Sequence, residues 1–174
     1  MVRNIVLAGM MGTGKTAVGF YLAEFLKVPF YDVDTLIEQE AGMSIPEIFE
    51  KEGEAYFRAL ERQVVTRLSE RGGCVIATGG GTVVDPENLH LLRRTGEVIC
   101  LTATPERILE RVEGMEHRPL LKHRDTLQRI RELMALRASS YAQVGAAIDT
   151  TDLTIDEVAV KVLERVGLRE ALKG

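Results

Sequence analysis

Short, almost continuous apolar runs alternate along this chain with longer stretches whose apolar residues recur at helical spacing. The runs "NIVLAG" (4–9), "VPFYDV" (28–33), "CVIAT" (74–78), "EVICLT" (97–102) and "AAID" (146–149) read as strands. Among the helical stretches, "TIDEVAVKVLERV" places Ile155, Val158, Ala159, Val162, Leu163 and Val166 on one face. Thr35 with Glu38, Ser44 with Glu47 and Thr154 with Glu157 have the spacing of capping boxes. Asp85-Pro86 and Thr104-Pro105 put proline at a first helical position. Strands that are apolar throughout and alternate with helices predict a parallel sheet covered on both faces, with ligands gathering at the carboxyl ends of the strands. No repeat, low-complexity tract or linker breaks the 174 residues, so a single α/β domain over 1–174 is expected. One polar interval containing Gly and Pro, "RVEGMEHRPLLKHRD", is long enough to form a mobile lid at about 112–124.

Composition narrows the function classes. The net charge of −4 supplies no basic field for nucleic acid, so any bound anion has to be met by a local cluster of positive groups. No apolar run approaches the roughly 18 residues of a membrane span. The opening "MVRNIVLAGMMGTGKT" has too short an apolar segment for a signal peptide, which makes the cytoplasm the expected location. Cys74 and Cys100 sit in strand-like runs with no Cys or His at metal spacing, and read as buried free thiols. No heptad pattern argues for an obligate oligomer, and a monomer is expected.

The strongest chemical signal is "GMMGTGKT", Gly9 to Thr16, which fits G-x-x-x-x-G-K-[ST] between a strand and a helix. Backbone N–H groups of the loop and helix start (Gly12, Thr13, Gly14, Lys15, Thr16, Ala17) then point at nucleotide phosphates. Lys15 reaches the β/γ oxygens, and the Thr16 hydroxyl coordinates Mg²⁺. GTPases, motors and ATPase modules share this loop. No "NKxD"-type guanine reader is present, and the chain is short for a motor.

The apolar strand that would ordinarily end in the metal-binding Asp ends instead in Thr78 and then "GGG". Acidic residues lie elsewhere, at Asp32 and Asp34 in "FYDVDT". In extended chain the two share a face, and Mg²⁺ near one with an acceptor hydroxyl near the other is a natural division of labour. The alternative, that Asp34 merely helps to start a helix with Thr35, stays open. Arg58 lies on a helix within reach of Glu54 and Glu61, so a solvated ion pair competes with a ligand role. Arg137 shares a helical stripe with Ile130, Met134 and Tyr141, and a guanidinium on such a surface suits a carboxylate, either structural or ligand. A second apolar face on that helix would run through Leu133 and Leu136. Arg118, on the lid before Pro119, is placed to stabilise charge on a transferring phosphoryl group. Arg111, just ahead of the lid, is a candidate to stack on adenine.

Taken in order, the phosphate loop, "DVD", "FRALE", "TGGGTV", "RPLL" and "RASSY" resemble the shikimate kinase family, from the first strand to beyond Tyr141. The resemblance implies a three-layer, nucleoside-monophosphate-kinase-like P-loop fold with a five-stranded parallel sheet. The implied reaction is transfer of the ATP γ-phosphoryl to the 3-hydroxyl of shikimate, with Mg²⁺, in chorismate and aromatic amino-acid synthesis. It makes Asp34 the residue that holds and deprotonates the acceptor hydroxyl, and gives Arg58 and Arg137 to the shikimate carboxylate. It makes Gly79, Gly80 and Gly81 the acceptor floor, and Phe57, with Ile45 and Phe49, the ring pocket. Lys15 and Arg118 contact the transferring phosphate, Thr16 binds Mg²⁺, and Asp32 holds it directly or through water. The family's adenine loop often carries an Arg that "DTTDLT" lacks. The competing readings are a kinase of another sugar acid such as gluconate, and a non-catalytic ATP-switched binding module.

Overall fold

The computed structural model describes residues 3–113 and 126–168. Its five strands are β1 (Asn4–Gly9), β2 (Phe30–Asp32), β3 (Val75–Ala77), β4 (Gly96–Thr102) and β5 (Ala147–Asp149). They form one parallel sheet in the order β2-β3-β1-β4-β5. The helices are α1 (Lys15–Leu26), α2 (Val33–Ala41), α3 (Ile45–Lys51), α4 (Gly53–Ser69), α5 (Pro86–Thr95), α6 (Pro105–Glu113), α7 (Thr126–Val144) and α8 (Ile155–Arg165).

The two-residue period of a strand explains the layers. On the central strand β1, Ile5 and Leu7 face one side with Ile99 and Leu101, and are covered by Val18 and Leu22 of α1 and by Val158 and Val162 of α8. Val6 and Ala8 face the other side with Ile76 and Val98, against α2, α4 and α5 through Ile37, Val64 and Leu92. Both faces are dry, which is why the strands are apolar throughout. A third cluster, Met10, Met11, Ile108, Val112 and Ile130, packs α6 and α7 beneath the loop that follows β1. Each large side chain fully buried in these layers contributes about 1.5–3 kcal/mol of hydrophobic stabilisation.

Three local expectations change. Thr35 and Glu38 do not form a capping box, because α2 starts three residues earlier, at Val33, and Asp32 is its N-cap, accepting from Thr35 N at 3.2 Å. Asp is as good a cap as Thr and already stands at the strand end, so it takes the role, while Glu38 Oε1 accepts from Ile45 N at 2.9 Å. Leu136 is 77% exposed, so α7 has no second apolar face through it. Ile155, in the first turn of α8, is 46% exposed, whereas Val158, Ala159, Val162 and Leu163 are buried as the periodicity requires. The boxes at Ser44–Glu47 and Thr154–Glu157 form, and Pro86 follows the Asp85 cap.

After β1 the chain builds β2 and β3 on one side and then crosses to β4 on the other, so the carboxyl end of β1 is the topological switch point. Parallel register sets Leu7 of β1 and Asp32 of β2 on either side of Ala77 of β3. The segments leaving these strands are the phosphate loop, the "DVD" segment and the glycine triplet, and the register makes them neighbours. Among the described residues no helix is long and apolar enough to cross a membrane.

Candidate active site

The loop from Gly9 to Lys15 turns sharply, with φ of 74° at Gly12 and 99° at Gly14, values that side chains other than glycine rarely adopt. Helix α1 starts on Gly14, which offers no side-chain cap, and has no acidic residue in its first turn. By contrast, α2 is capped by Asp32 and α8 by Thr154. An uncapped N-terminus preceded by a glycine loop leaves amides and positive dipole for an anion. Lys15 is nearly buried and donates through Nζ to Gly9 O and Met10 O, both at 2.8 Å. The Thr13 hydroxyl turns inward and donates to Met10 O at 2.7 Å, so this side chain braces the loop and leaves its backbone to serve a phosphate. Thr16 and Ala17 are exposed on the first turn.

The Thr16 hydroxyl donates to Asp32 Oδ2 at 2.8 Å, bringing together the two residues assigned to the metal. The donors are all oxygen and few in number, and among the described residues no group of three or more His, Cys, Asp or Glu could hold a metal. That set fits Mg²⁺, which keeps waters and phosphate oxygens as most of its ligands, and does not suit zinc or a thiolate metal. Thr78, one residue past the Ala77 that pairs with Asp32, has a buried hydroxyl with no hydrogen-bond partner among the described residues. An unsatisfied hydroxyl at this edge is a natural partner for a metal-bound water.

Each glycine of the triplet faces one charged side chain. A Cβ on Gly79 would stand 2.6 Å from Asp34 Oδ1, one on Gly80 3.0 Å from Arg137 Nη1, and one on Gly81 2.9 Å from both terminal nitrogens of Arg58. None of the three has positive φ, so glycine is required here for space and not for backbone conformation. Asp34 lies in the first turn of α2, not in extended chain, so the shared-face argument for Asp32 and Asp34 fails. The helix turn itself brings Asp34 to the triplet. Asp34 also supports the start of α2 as an acidic residue of its first turn, while Asp32 rather than Thr35 is the cap.

Arg58 satisfies both ion-pair alternatives that its spacing allowed. It donates to Glu61 Oε2 at 2.8 Å and lies 3.4 Å from Glu54 Oε1, yet its guanidinium still borders Gly81. Glu61 is 1% exposed and also accepts from the Thr82 hydroxyl at 2.7 Å, which locks Arg58 from behind. Arg137 has no carboxylate within 4.0 Å among the described residues, and it donates through Nη1 to Met10 Sδ at 3.8 Å. A guanidinium held beside the triplet without an acid partner suits an anionic ligand. Phe57 is buried and stacks on Phe49 at 4.9 Å between centroids, so the exposed ring of the pair is Phe49. Arg111 directs its in-plane donors to Gly12 O at 3.1 Å and Thr150 O at 2.7 Å, and burial, helped by nearby Arg107, lowers its pKa. Of the lid expected at 112–124, Val112 and Glu113 belong to α6, with Val112 buried, and Arg118 and the other lid residues lie outside the described residues.

A family model described as shikimate kinase matches residues 11–167. A shikimate kinase from Caldanaerobacter subterraneus is 49% identical over 93% of this chain and 95% of its own. One from Geobacter metallireducens is 45% identical over 92% and 90%. Among solved structures, shikimate kinase from Acinetobacter baumannii in complex with shikimate superposes with a TM-score of 0.90 at 39% identity, covering 95% of this chain and 93% of that one. The chain belongs to the shikimate kinase family. The sheet and its surrounding helices are therefore the P-loop, nucleoside-monophosphate-kinase-like fold, and the protein is a kinase that uses ATP as substrate.

Within this shikimate kinase the sequence left several supporting residues without a role. Tyr141, one turn beyond Arg137, donates its hydroxyl to Gly80 O at 2.6 Å, and burial raises its pKa against the opposing charge of Arg137. Its place on the Arg137 stripe was legible, but its target was not. Glu61 was visible only as a spacing partner of Arg58. The contacts of Met10 Sδ and of Thr150 carry no local signal, because they join segments far apart in sequence.

Proposed function

We propose that this shikimate kinase transfers the ATP γ-phosphoryl group to the 3-hydroxyl of shikimate, forming shikimate 3-phosphate for chorismate and aromatic amino-acid synthesis. The observation that carries the residue assignments is the placement of Asp34, Arg137 and Arg58 on Gly79, Gly80 and Gly81, beside the phosphate loop. Arg58 and Arg137 pair with the acceptor carboxylate, and the small floor lets the ring approach closely. Phe49, Phe57 and Ile45 flank the ring.

Asp34 accepts the proton of the acceptor hydroxyl as that oxygen bonds to the γ-phosphorus. The bond from that phosphorus to the β,γ-bridging oxygen breaks, and ADP leaves with the electron pair. Lys15 leaves the carbonyls of Gly9 and Met10 for the β/γ oxygens, and Arg118 on the lid after α6 adds charge to the transferring group. Amides of Gly12 to Ala17 hold the phosphates, and a face of Arg111 stacks on adenine. Thr16, and Asp32 directly or through water, would hold Mg²⁺, which would supply neutralisation of phosphate charge.

The same reading makes the protein a cytoplasmic monomer, where ATP is available and free cysteines such as Cys74 and Cys100 stay reduced. Its ligands are small molecules, in keeping with the net charge of −4. Single-turnover kinetics of Asp34→Asn test the mechanism: the phosphoryl-transfer rate falls roughly 10²-fold or more. A rate near that of the unmodified enzyme removes Asp34 from the role of base.

A further inference from the structure

A phosphate loop works only when its N–H groups converge on the anion. In a trans peptide the C=O of one residue and the N–H of the next point in opposite directions. Converging amides therefore force the loop carbonyls outward, where buried carbonyls need donors. No cis peptide occurs among the described residues, and several of the loop carbonyls find such donors. The Thr13 hydroxyl reaches Met10 O, and Arg111 reaches Gly12 O.

Thr13 O is met by the hydroxyl of Thr150, at 3.1 Å. Thr150 is 1% exposed and follows the edge strand β5. Its hydroxyl also lies 3.0 Å from Thr102 O at the end of β4, and accepts from Arg111 Nη1 at 3.0 Å. Its backbone is fixed twice more: Thr150 N donates to Thr102 O at 2.8 Å, and Thr150 O accepts from Arg111 Nη2 at 2.7 Å. One buried hydroxyl thus joins the phosphate loop, the end of β4 and the last turn of α6.

We infer that Thr150 is a positioning residue for the nucleotide phosphates. It holds the Thr13 carbonyl outward, so that the N–H of Gly14, in the same peptide plane, faces the phosphates. Arg111 does the same for the preceding plane, pulling Gly12 O outward and aiming Thr13 N–H inward, and Thr150 holds Arg111 in place. The inference rests on the reading of Gly9–Thr16 as the ATP-phosphate loop. The isolated motif "DTTDLT" contains no hint of it, because the contacts lie 39 to 137 residues away in sequence.

The test compares Thr150→Val, Thr150→Ala and Thr150→Ser with the unmodified protein. Calorimetric binding of ADP, inorganic tripolyphosphate and adenosine is measured alongside the KM values for ATP and shikimate. Thr150→Val keeps the shape and loses the donor, and weakens ADP and tripolyphosphate binding about tenfold, the size of one lost buried hydrogen bond. Thr150→Ala, with room for a water, gives the same direction at a smaller size, and Thr150→Ser restores both affinities. Adenosine binding falls less than tripolyphosphate binding, because Thr150 O still accepts from Arg111 Nη2, and the shikimate KM stays unchanged. Wild-type tripolyphosphate affinity in both Val and Ala variants overturns the inference, as does a loss confined to adenosine, or equal losses for both substrates that Ser does not rescue. Failure of the unmodified protein to bind ADP or tripolyphosphate overturns the phosphate-loop reading itself, and this inference with it.

Discussion

The Asp34 carboxylate occupies the side-chain space of Gly79, with Oδ1 2.6 Å from where a Cβ would stand. Gly79 does not need glycine for its backbone, so Gly79→Ala folds but pushes the carboxylate away from the acceptor. Displacements of about 1 Å at a reacting group cost about 10²-fold in rate. Steady-state kinetics of Gly79→Ala are expected to show a kcat loss of that order with the ATP KM unchanged. A defect confined to the ATP KM would assign the triplet to the nucleotide.

Arg58 and Arg137 touch the same floor but differ in support. Arg58 is held by Glu61 and Glu54, whereas Arg137 has no carboxylate within 4.0 Å among the described residues. Arg58→Ala and Arg137→Ala each raise the shikimate KM by about tenfold or more, the range of a lost charged hydrogen bond. Glu61→Gln raises it less, because Arg58 keeps its charge and loses only its anchor. Equal effects of all three on both substrates would point to general loosening of the fold.

Much of this arrangement is legible in the sequence, for identifiable reasons. The apolar strands, the phosphate loop and two of three proposed capping boxes depend on residues close together in the chain. Their period, φ requirements and side-chain caps are written locally. The facing of Gly79 to Asp34, Gly80 to Arg137 and Gly81 to Arg58 is not written locally, because parallel register, not sequence spacing, brings the strand ends together. Where two local signals competed, as Asp32 and Thr35 did for the start of α2, the residue already fixed at the strand end became the cap.

The Thr16–Asp32 hydrogen bond of 2.8 Å orients two oxygen ligands for one hydrated cation. Thr16→Val and Asp32→Asn are expected to raise the Mg²⁺ concentration for half-maximal velocity by about tenfold or more, as changes in a metal's supporting shell do. Chelation of divalent cations abolishes turnover, and added Mg²⁺ restores it. Unaltered Mg²⁺ dependence in both variants would separate this pair from the metal.

The two free cysteines give a pH prediction. Burial pushes the Cys100 thiol up from its ordinary value of 9.0 to about 11, against a small opposing effect of Lys15, and raises Cys74 as well. The folded state therefore keeps protons that the unfolded chain would release, so this contribution to stability is complete below pH 9 and is lost as pH rises towards about 11. Both thiols are expected to resist an aromatic disulfide reagent at pH 8 and to react together on denaturation. Rapid labelling of the native protein would contradict their burial.

The central claim is phosphoryl transfer to shikimate. It is tested most directly by coupled measurement of ADP release with shikimate, gluconate, nucleoside monophosphates or no acceptor. Rapid ADP release with shikimate alone, with shikimate 3-phosphate formed in equal amount, is the predicted result. Equal or greater turnover with gluconate, or ADP release without any acceptor, would contradict it.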